Sequence, residues 1–497
     1  MNVLLVYPES PVTFWSFKHA LNFIGKKANL PPLGVLTVAA MLPESWNLKL
    51  IDMNVKSLKN KDIAWADYVF ISAMNIQKKS TREVVDRCKK LGVKTVAGGP
   101  LFVGDFDEFD DVDHLLLHEG EVCIPQFLAD LEAGTPKHIY DWERYPSLTE
   151  TPIPRWDLAN PKKYAMLSLQ YSRGCPFNCE FCNVVTLFGH SPRTKTCNQI
   201  IDELETIYNL GWRGGIFFVD DNFIGNKNKL KTEVLPAIVE WMQERNHPFT
   251  FFTEVSINIA DDEELLKLMG DAGFDNIFVG IETVDEDSLA ECNKMQNKNR
   301  DLIGNIAQIQ NHGMQVSGGF ILGFDNDKPS SFTGMVNFIQ SSGIVTAMVG
   351  VLTALKGTKL FDRMEQEGRL LGGTSESNMD INFKTKMPIN DLMDGYKKVV
   401  HSIYSPKNYY SRVKLFLKNY NPVERRGSQK VSASYISAFF KACFKLGVIS
   451  KGRLEYWKLI GWSLFKKPKA FVMAVKLSVF GYHFRKCMAE TVINVRN

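Results

Sequence analysis

The sequence predicts an α/β protein of three parts. A doubly wound, Rossmann-like domain is expected over residues 1–140, a linker over 141–162, a partial (βα)6 TIM-type barrel over 163–365, and a helical, basic C-terminal domain over 366–497. Three observations carry this expectation. Short apolar runs alternate with helical stretches through the first 140 residues, the pattern of a parallel sheet. A second series of the same kind starts near 163. From about 370 the strand-like runs stop, and Lys and Arg accumulate.

The first series places strands at 3–7, 48–52, 68–72, 95–97 and 114–117, with helices such as 80–91 between them. Sheets of this kind bind ligands beyond the carboxyl ends of their strands. Asp52, Ser72, Asn75, Gly98, Gly99, Glu119 and Gly120 stand there. Pro, Trp and Tyr crowd 141–160 and mark a linker. The second series places strands at 165–171, 215–219, 249–254, 276–280, 315–322 and 347–353, with helices at 197–210, 261–270 and 300–312. Six βα units make a partial barrel, whose chemistry belongs at the carboxyl ends of the strands. Farther on, 390–404 is amphipathic, and 454–483 interleaves Trp, Phe and Leu with Lys.

Composition narrows the setting. The chain is globular, with 45% hydrophobic and 23% charged residues, and its nine cysteines do not have the spacing of a disulfide framework. The first residues form an apolar strand and lack the basic start and long apolar stretch of a signal peptide, so a reducing cytoplasm is expected. The net charge of +4 hides an asymmetry. Residues 401–497 carry 19 Lys and Arg against 3 Asp and Glu, which leaves 40 against 52 for residues 1–400. No stretch is free of charge for long enough to span a bilayer. The basic tail has three readings: an interfacial helix on anionic lipid, a cap on the barrel with a solvated face, and, as the weakest, an RNA-binding surface.

Chemistry concentrates in Cys175, Cys179 and Cys182, spaced C-x3-C-x2-C in the loop after the first barrel strand. Three thiolates this close can converge on one metal centre, yet they cannot supply the four thiolates of a closed iron–sulfur or zinc site. A cubane held by three cysteines keeps one iron open. The competing reading is a zinc clip completed by His190. The remaining cysteines (88, 123, 197, 292, 443 and 487) read as small apolar residues.

The triad, with Phe181 directly before its last cysteine and a barrel around it, resembles the radical S-adenosylmethionine superfamily. The resemblance implies a 4Fe–4S cluster on Cys175, Cys179 and Cys182. S-adenosylmethionine would chelate the open iron and be cleaved to a 5′-deoxyadenosyl radical. It implies contacts to that molecule from Phe181, Asp220, Asp221, Glu254 and Glu282, all near strand ends. Here Asp220, Asp221 and Asn222 stand where the superfamily has Gly-Gly-Glu, and each acidic residue has the competing reading of an exposed loop carboxylate. Arg193 and Lys195 are candidates for meeting a carboxylate, or form a solvated basic turn.

A doubly wound domain before such a barrel resembles the cobalamin-binding class of the superfamily. It implies cobalamin contacts from Pro32, Gly34, Asp52, Ser72, Asn75, Gly98, Gly99, Glu119 and Gly120. The Asp-x-His-x-x-Gly signature of a lower axial histidine is absent, so no axial ligand is assigned; His19, His114 and His118 read as surface or packing histidines. A domain that binds nothing is the competing reading. Methylthiotransferases are set aside because the first domain lacks a second cysteine triad.

Residues 171–183 and 187–195 are similar to the hopanoid C-2 methylase branch and its relatives. That resemblance implies methyl transfer from S-adenosylmethionine through cobalamin to an unactivated carbon of a small-molecule or lipid substrate, such as a polycyclic or isoprenoid lipid. It also implies an electron donor such as flavodoxin or ferredoxin, and a cytoplasmic enzyme with peripheral contact at the inner membrane face. Two alternatives stay open: a cobalamin-dependent cyclase or rearrangement enzyme, and a non-catalytic iron–sulfur electron-transfer protein.

Overall fold

Six parallel strands form the first sheet: β1 (Asn2–Tyr7), β2 (Asn47–Asp52), β3 (Tyr68–Ser72), β4 (Lys94–Gly98), β5 (His114–Leu116) and β6 (Ile139–Tyr140). Their order is β2-β1-β3-β4-β5-β6. The chain leaves β1 in one direction and returns beside it through β3, so a switch point falls between β1 and β3, where such sheets hold ligands. The architecture comes from a computed structural model, which describes residues 1–141, 144–371, 381–422 and 433–494. Residues 142–143 of the expected linker, and 372–380, 423–432 and 495–497 of the expected C-terminal domain, lie outside the described residues.

Side-chain alternation explains why both faces of this sheet are covered. Leu4 and Val6 pack with Ile71, Val84, Cys88 and Phe102 on one side. Val3 and Leu5 pack with Val35, Ala39, Phe70 and Phe127 on the other. A strand buried on both faces is a continuous apolar run, and Val3–Val6 is one. The two-residue β6 is too short for a sequence pattern to announce, and it lies at the edge of the sheet.

The second sheet is also parallel: β7 (Leu167–Leu169), then, after the short hairpin β8 (Ser172–Arg173) and β9 (Arg193–Thr194), β10 (Gly214–Phe218), β11 (Phe249–Val255), β12 (Phe274–Glu282), β13 (Gln315–Leu322) and β14 (Thr346–Val351). Its strands follow in chain order, β14-β13-β12-β11-β10-β7, as in an open barrel. The expected first strand, 165–171, shrinks to three residues for a chemical reason. At its start the N–H groups of Ala165 and Met166 donate to Ala28 O and Asn29 O, and beyond its end those of Tyr171 and Ser172 donate to the carboxylate of Asp220 instead of continuing the ladder.

Helices Ile389–Tyr404, Pro406–Asn419, Ala433–Phe444, Arg453–Lys466 and Phe471–Asn494 build the C-terminal region. Within 454–483, where Trp, Phe and Leu interleave with Lys, the helix is broken near Pro468, which cannot continue it. The last helix reaches back to the start of the chain. Phe14 stacks on Phe484 with ring centroids 4.2 Å apart. Beside it, Trp15 donates its indole N–H to Met348 Sδ on β14 and meets Phe278 of β12 edge-on at 5.5 Å.

Candidate active site

The loop carrying Cys175, Cys179 and Cys182 starts at Arg173 and Gly174 and ends at the short helix Val184–Phe188. Gly174 has φ +94°, and a Cβ there would crowd the carbonyl oxygens of Phe188, Gly189 and Ser191, so only glycine fits the turn. Glu180, in the middle of the triad, is held by a forked ion pair from Arg363 at 2.6 and 2.9 Å. Its backbone is held too: Glu180 N–H donates to Cys292 O, and Leu360 N–H donates to Glu180 O. Asn293 donates to Asn178 O, and Gln296 Nε2 lies 3.7 Å from Cys179 Sγ.

All three cysteines are free and partly accessible. Among the described residues, their sulfurs do not gather within 4.8 Å of one another, as ligands of a single ion do. A wider, loop-borne set of three thiols suits a multi-iron cluster better than the zinc clip with His190. Burial pushes the Cys175 thiol up and the Cys182 thiol up to about 12, so these groups become thiolates only against a metal.

Four carboxylates stand at the neighbouring strand ends. Asp220 follows β10, fully buried, and accepts from the N–H groups of Tyr171 and Ser172 and from Ser172 Oγ at 2.5 Å. Burial raises it to about 7. Asp221 accepts from Gly174 N–H at 3.4 Å and is raised by burial to about 6. Glu254, near the end of β11, is raised to about 8 by burial and then by the charges of Asp221, Glu282 and Asp220. Glu282 ends β12 with φ +63° beyond a register shift in the strand, and its Oε1 takes Lys294 Nζ at 2.8 Å. Asp220 and Glu282 are buried, so they are not solvated loop residues.

Lys294 is the cation that sequence reasoning missed. Burial works against its charge, but the Glu282 carboxylate, with any thiolate charge on Cys179 and Cys182, outweighs that and holds its pKa above the ordinary lysine value. It also lies over the Phe181 ring at 6.0 Å. Phe181 itself packs edge-on to Phe324 at 6.3 Å. Lys294 and, at Asp221, Arg173 do not balance the four carboxylates, three of which are raised, and a ligand bearing a sulfonium and an ammonium would relieve that.

The residues expected to hold cobalamin fall on one edge, the carboxyl ends of the first sheet. Ser72 ends β3, and Gly98 and Gly99 end β4. Gly99, at φ +100°, lies so close to Ser72 and Ala73 that a Cβ would meet Ala73 O at 3.0 Å and Ser72 Oγ at 3.1 Å. Pro32 caps helix Leu33–Met41, whose Gly34 faces open space, and Gly120 begins helix Gly120–Glu132. Met74 and Asn75 are exposed at the lip. An edge of small residues, bare backbone and one exposed amide suits the amide-fringed ring of a corrinoid.

Three expected contact residues are engaged otherwise. Asp52 accepts from Asn54 N–H at 2.9 Å, Asn54 Nδ2 at 2.8 Å and Tyr164 Oη at 2.9 Å, so it fastens the connection between the sheets. Glu119 takes both Arg193, with Nη2 at 2.6 Å, and Arg173. Arg193 is thus turned toward Glu119, Pro146 O and Phe188 O, and Lys195 is paired with Glu203 in the interior. Neither basic residue is a solvated turn. His114 packs on Phe127, and His118 pairs with Asp141 at 2.8 Å.

Strand alternation also shows what faces the inside of the barrel. Ile216 and Phe218 of β10, and Phe249 and Phe251 of β11, are buried in the main core. The intervening Phe217 and Phe252 point to the other face and stack at 4.6 Å. Phe278 of β12 and Met348 of β14 share that parity and meet Trp15. The inner face therefore offers aromatic and thioether surface below a charged rim.

Residues 26–128 match the model of the B12 binding domain, 169–339 that of the radical SAM superfamily, and 358–496 a domain of unknown function. The chain is 37% identical to an uncharacterised methyltransferase of Synechocystis sp., over 97% of this chain and 91% of that one. It is 33% identical to the hopanoid C-2 methylase of Rhodopseudomonas palustris, over 92% of this chain and 88% of that protein. In fold it is similar to the solved cobalamin-dependent S-adenosylmethionine radical enzyme OxsB, with a TM-score of 0.63 over 100% of this chain and 80% of that one at 16% identity.

Proposed function

Because the chain belongs to the cobalamin-binding radical S-adenosylmethionine methyltransferases, with hopanoid C-2 methylase among its relatives, we propose that it methylates an unactivated carbon of a polycyclic or isoprenoid lipid taken from a membrane surface. The observation that carries the substrate class is the aromatic inner face, with Phe217 on Phe252 and Trp15 against Phe278, below the cysteine loop. Such a face binds flat, apolar rings by burial and stacking, with Ser168, Asn276 and Ser317 between the aromatic rings in the strand register.

The family's cofactors are a 4Fe–4S cluster, S-adenosylmethionine and cobalamin, which when bound supply a carbon-centred radical and a methyl group for carbon. Cys175, Cys179 and Cys182 are assigned to the cluster. Asp220, Asp221, Glu254 and Glu282 are assigned to the positive groups of S-adenosylmethionine, with Lys294 and Phe181 beside them. Ser72, Asn75, Gly98, Gly99, Pro32, Gly34 and Gly120 line the edge assigned to cobalamin. Arg173, Arg193, Glu119 and Asp52 are assigned to locking the two sheets together. The protein's part is to orient these groups and to keep water from the reacting carbon. A flavodoxin- or ferredoxin-type donor fits the need for single electrons.

Membrane contact is assigned to the C-terminal helices. Among the described residues no helix is long and apolar enough to cross a membrane. Phe440, Phe444, Ile449, Leu454, Trp457 and Phe465 are nonetheless exposed, Phe465 at 82%. Exposed Lys441, Lys451, Arg453, Lys458, Lys466 and Lys469 lie among them. Apolar side chains to enter the interface and lysines for anionic headgroups are what a peripheral contact at the inner membrane face requires.

The test is anaerobic incubation of reconstituted protein with cobalamin, a reductant, methyl-labelled S-adenosylmethionine and lipid extract. The expected result is 5′-deoxyadenosine together with a labelled lipid heavier by one methylene unit. Label appearing only in polar products would overturn the lipid reading, and 5′-deoxyadenosine with no labelled product would overturn methyl transfer.

A further inference from the structure

Where the N-terminal segment crosses the last helix, three metal-ligating side chains meet far from the cysteine loop. His19 comes from helix Lys18–Ile24, and His483 and Cys487 lie one turn apart on helix Phe471–Asn494. One nitrogen of each histidine and the sulfur all fall within 4.8 Å of one another. Cys487 Sγ lies over the His483 ring, 3.4 Å from both nitrogens and 3.6 Å from Thr13 O, so sharing an ion with Nδ1 requires this side chain to turn; Glu490, three residues farther along the helix, places Oε2 3.2 Å from His19 Nε2. Tetrahedral zinc, with Zn–N near 2.0–2.1 Å and Zn–S near 2.3 Å, separates its ligand atoms by about 3.3–3.6 Å.

The tautomer is also set. His483 Nε2 lies 2.9 Å from Phe14 O, and a carbonyl only accepts, so this nitrogen carries the proton and Nδ1 keeps its lone pair. Metal-bound histidines commonly have this arrangement, with the distal N–H fixed on a carbonyl. His483 and Cys487 are buried, while the His19 side chain is 22% and that of Glu490 48% exposed, so an ion has a way in.

We propose that His19, His483 and Cys487 bind one zinc ion, with Glu490 as the fourth ligand, and that this ion fastens the N-terminal segment to the C-terminal helix. The segment so fastened carries Phe14 and Trp15, and Trp15 reaches the inner face of the barrel. The site closes a link between residues more than 460 positions apart in the chain.

The test uses the full-length, cluster-loaded protein produced with zinc in the medium, with zinc and iron measured together. About one zinc per chain is expected beside the cluster iron. Cys487→Ser and His483→Gln should lose zinc at least tenfold with iron unchanged. Zinc-stripped wild-type protein titrated with Co(II) should show tetrahedral d–d absorption and a thiolate-to-cobalt band, and the same band should appear in the Cys175→Ala/Cys179→Ala/Cys182→Ala variant. Wild-type protein that takes up neither zinc nor cobalt, or zinc that follows the cysteine triad and not His483, overturns the proposal. A wild-type titration without metal uptake overturns the proposal even if the variants fold poorly, and none of these readouts depends on methyl transfer.

Discussion

Arg173 and Glu121 form a forked ion pair, Nη2 to Oε1 at 2.9 Å and Nη1 to Oε2 at 3.0 Å, between the start of the cysteine loop and a helix of the first sheet. The same guanidinium also meets Glu119, and burial leaves little water around it. Removing one partner of a buried pair strands the others, at a cost of about 3–5 kcal/mol. Arg173→Ala is expected to lower stability by that order, read by denaturant unfolding. Because the pair joins the cysteine loop to the edge assigned to cobalamin, the variant should also form 5′-deoxyadenosine while losing most methylated product. Product loss in strict proportion to 5′-deoxyadenosine would argue against a coupling role.

The Glu180–Arg363 pair anchors the middle of the cysteine loop to helix Lys359–Gln366. Arg363 also touches Asp325 at 3.1 Å, so its guanidinium bridges two segments. Lysine keeps the charge but not the fork. Iron retention after reconstitution should fall severalfold in Arg363→Ala and recover only in part in Arg363→Lys. Equal retention in all three proteins would assign the pair to surface electrostatics.

How much of this was legible in the sequence depends on distance along the chain. The position of Asp220, Glu254 and Glu282 follows from parallel strands, which present the residues after each strand on one edge, so the site could be placed before the structure. Partners could not. Arg173 finds Glu121 across 52 positions, and Asp52 finds Tyr164 across 112, which no local pattern encodes. Lys294 sits in a loop with no periodicity, and only folding brings it to Glu282. Asp52 and Glu119 stand near strand ends, and Arg193 meets a carboxylate, that of Glu119, but no local pattern names these partners, because a charge buried between domains is satisfied by whatever faces it. The short β7 shows the same limit, since Asp220 captures the N–H groups that a longer strand would have used.

Gly481 tests how tightly the C-terminal helices grip the body. A Cβ there would lie well under 3.0 Å from the Tyr409 ring. That ring is fully buried, and its hydroxyl donates to Leu477 O at 2.6 Å, so it cannot swing away cheaply. Overpacking of this kind costs about 1–3 kcal/mol. Gly481→Ala should lower the melting temperature by several degrees, whereas Gly461→Ala, where nothing lies within 4 Å, should be neutral or slightly stabilising.

The exposed phenylalanines predict a membrane phenotype without a folding phenotype. Phe440, Phe444 and Phe465 are each more than 60% exposed, so replacing them with Glu removes little packing. Each phenylalanine buried in an interface is worth about 1.5–3 kcal/mol. The triple variant should bind anionic liposomes at least tenfold more weakly in flotation, at unchanged melting temperature. Wild-type binding that is abolished by salt alone, with the triple variant indistinguishable, would leave only the lysines in the contact.

Glu254 gives the pH dependence a sign. Its folded-state pKa of about 8 stands above its ordinary 4.5 because burial and three carboxylates oppose its charge. Such a group favours the fold most fully below its ordinary value, and that contribution is lost as pH rises through about 8. The cluster-loaded protein without S-adenosylmethionine should therefore melt at lower temperature at pH 8 than near pH 5. Glu254→Gln removes the titrating group and should flatten that slope. S-adenosylmethionine brings positive charge to the same carboxylates, so its binding should expel a proton between about pH 6 and 8, where Asp221, Asp220 and Glu254 titrate. Affinity should then tighten with rising pH, by up to about tenfold per unit for each proton released. Calorimetry in two buffers of different ionisation enthalpy measures that proton directly, and a release near zero would mean that these carboxylates do not face the ligand's cationic groups.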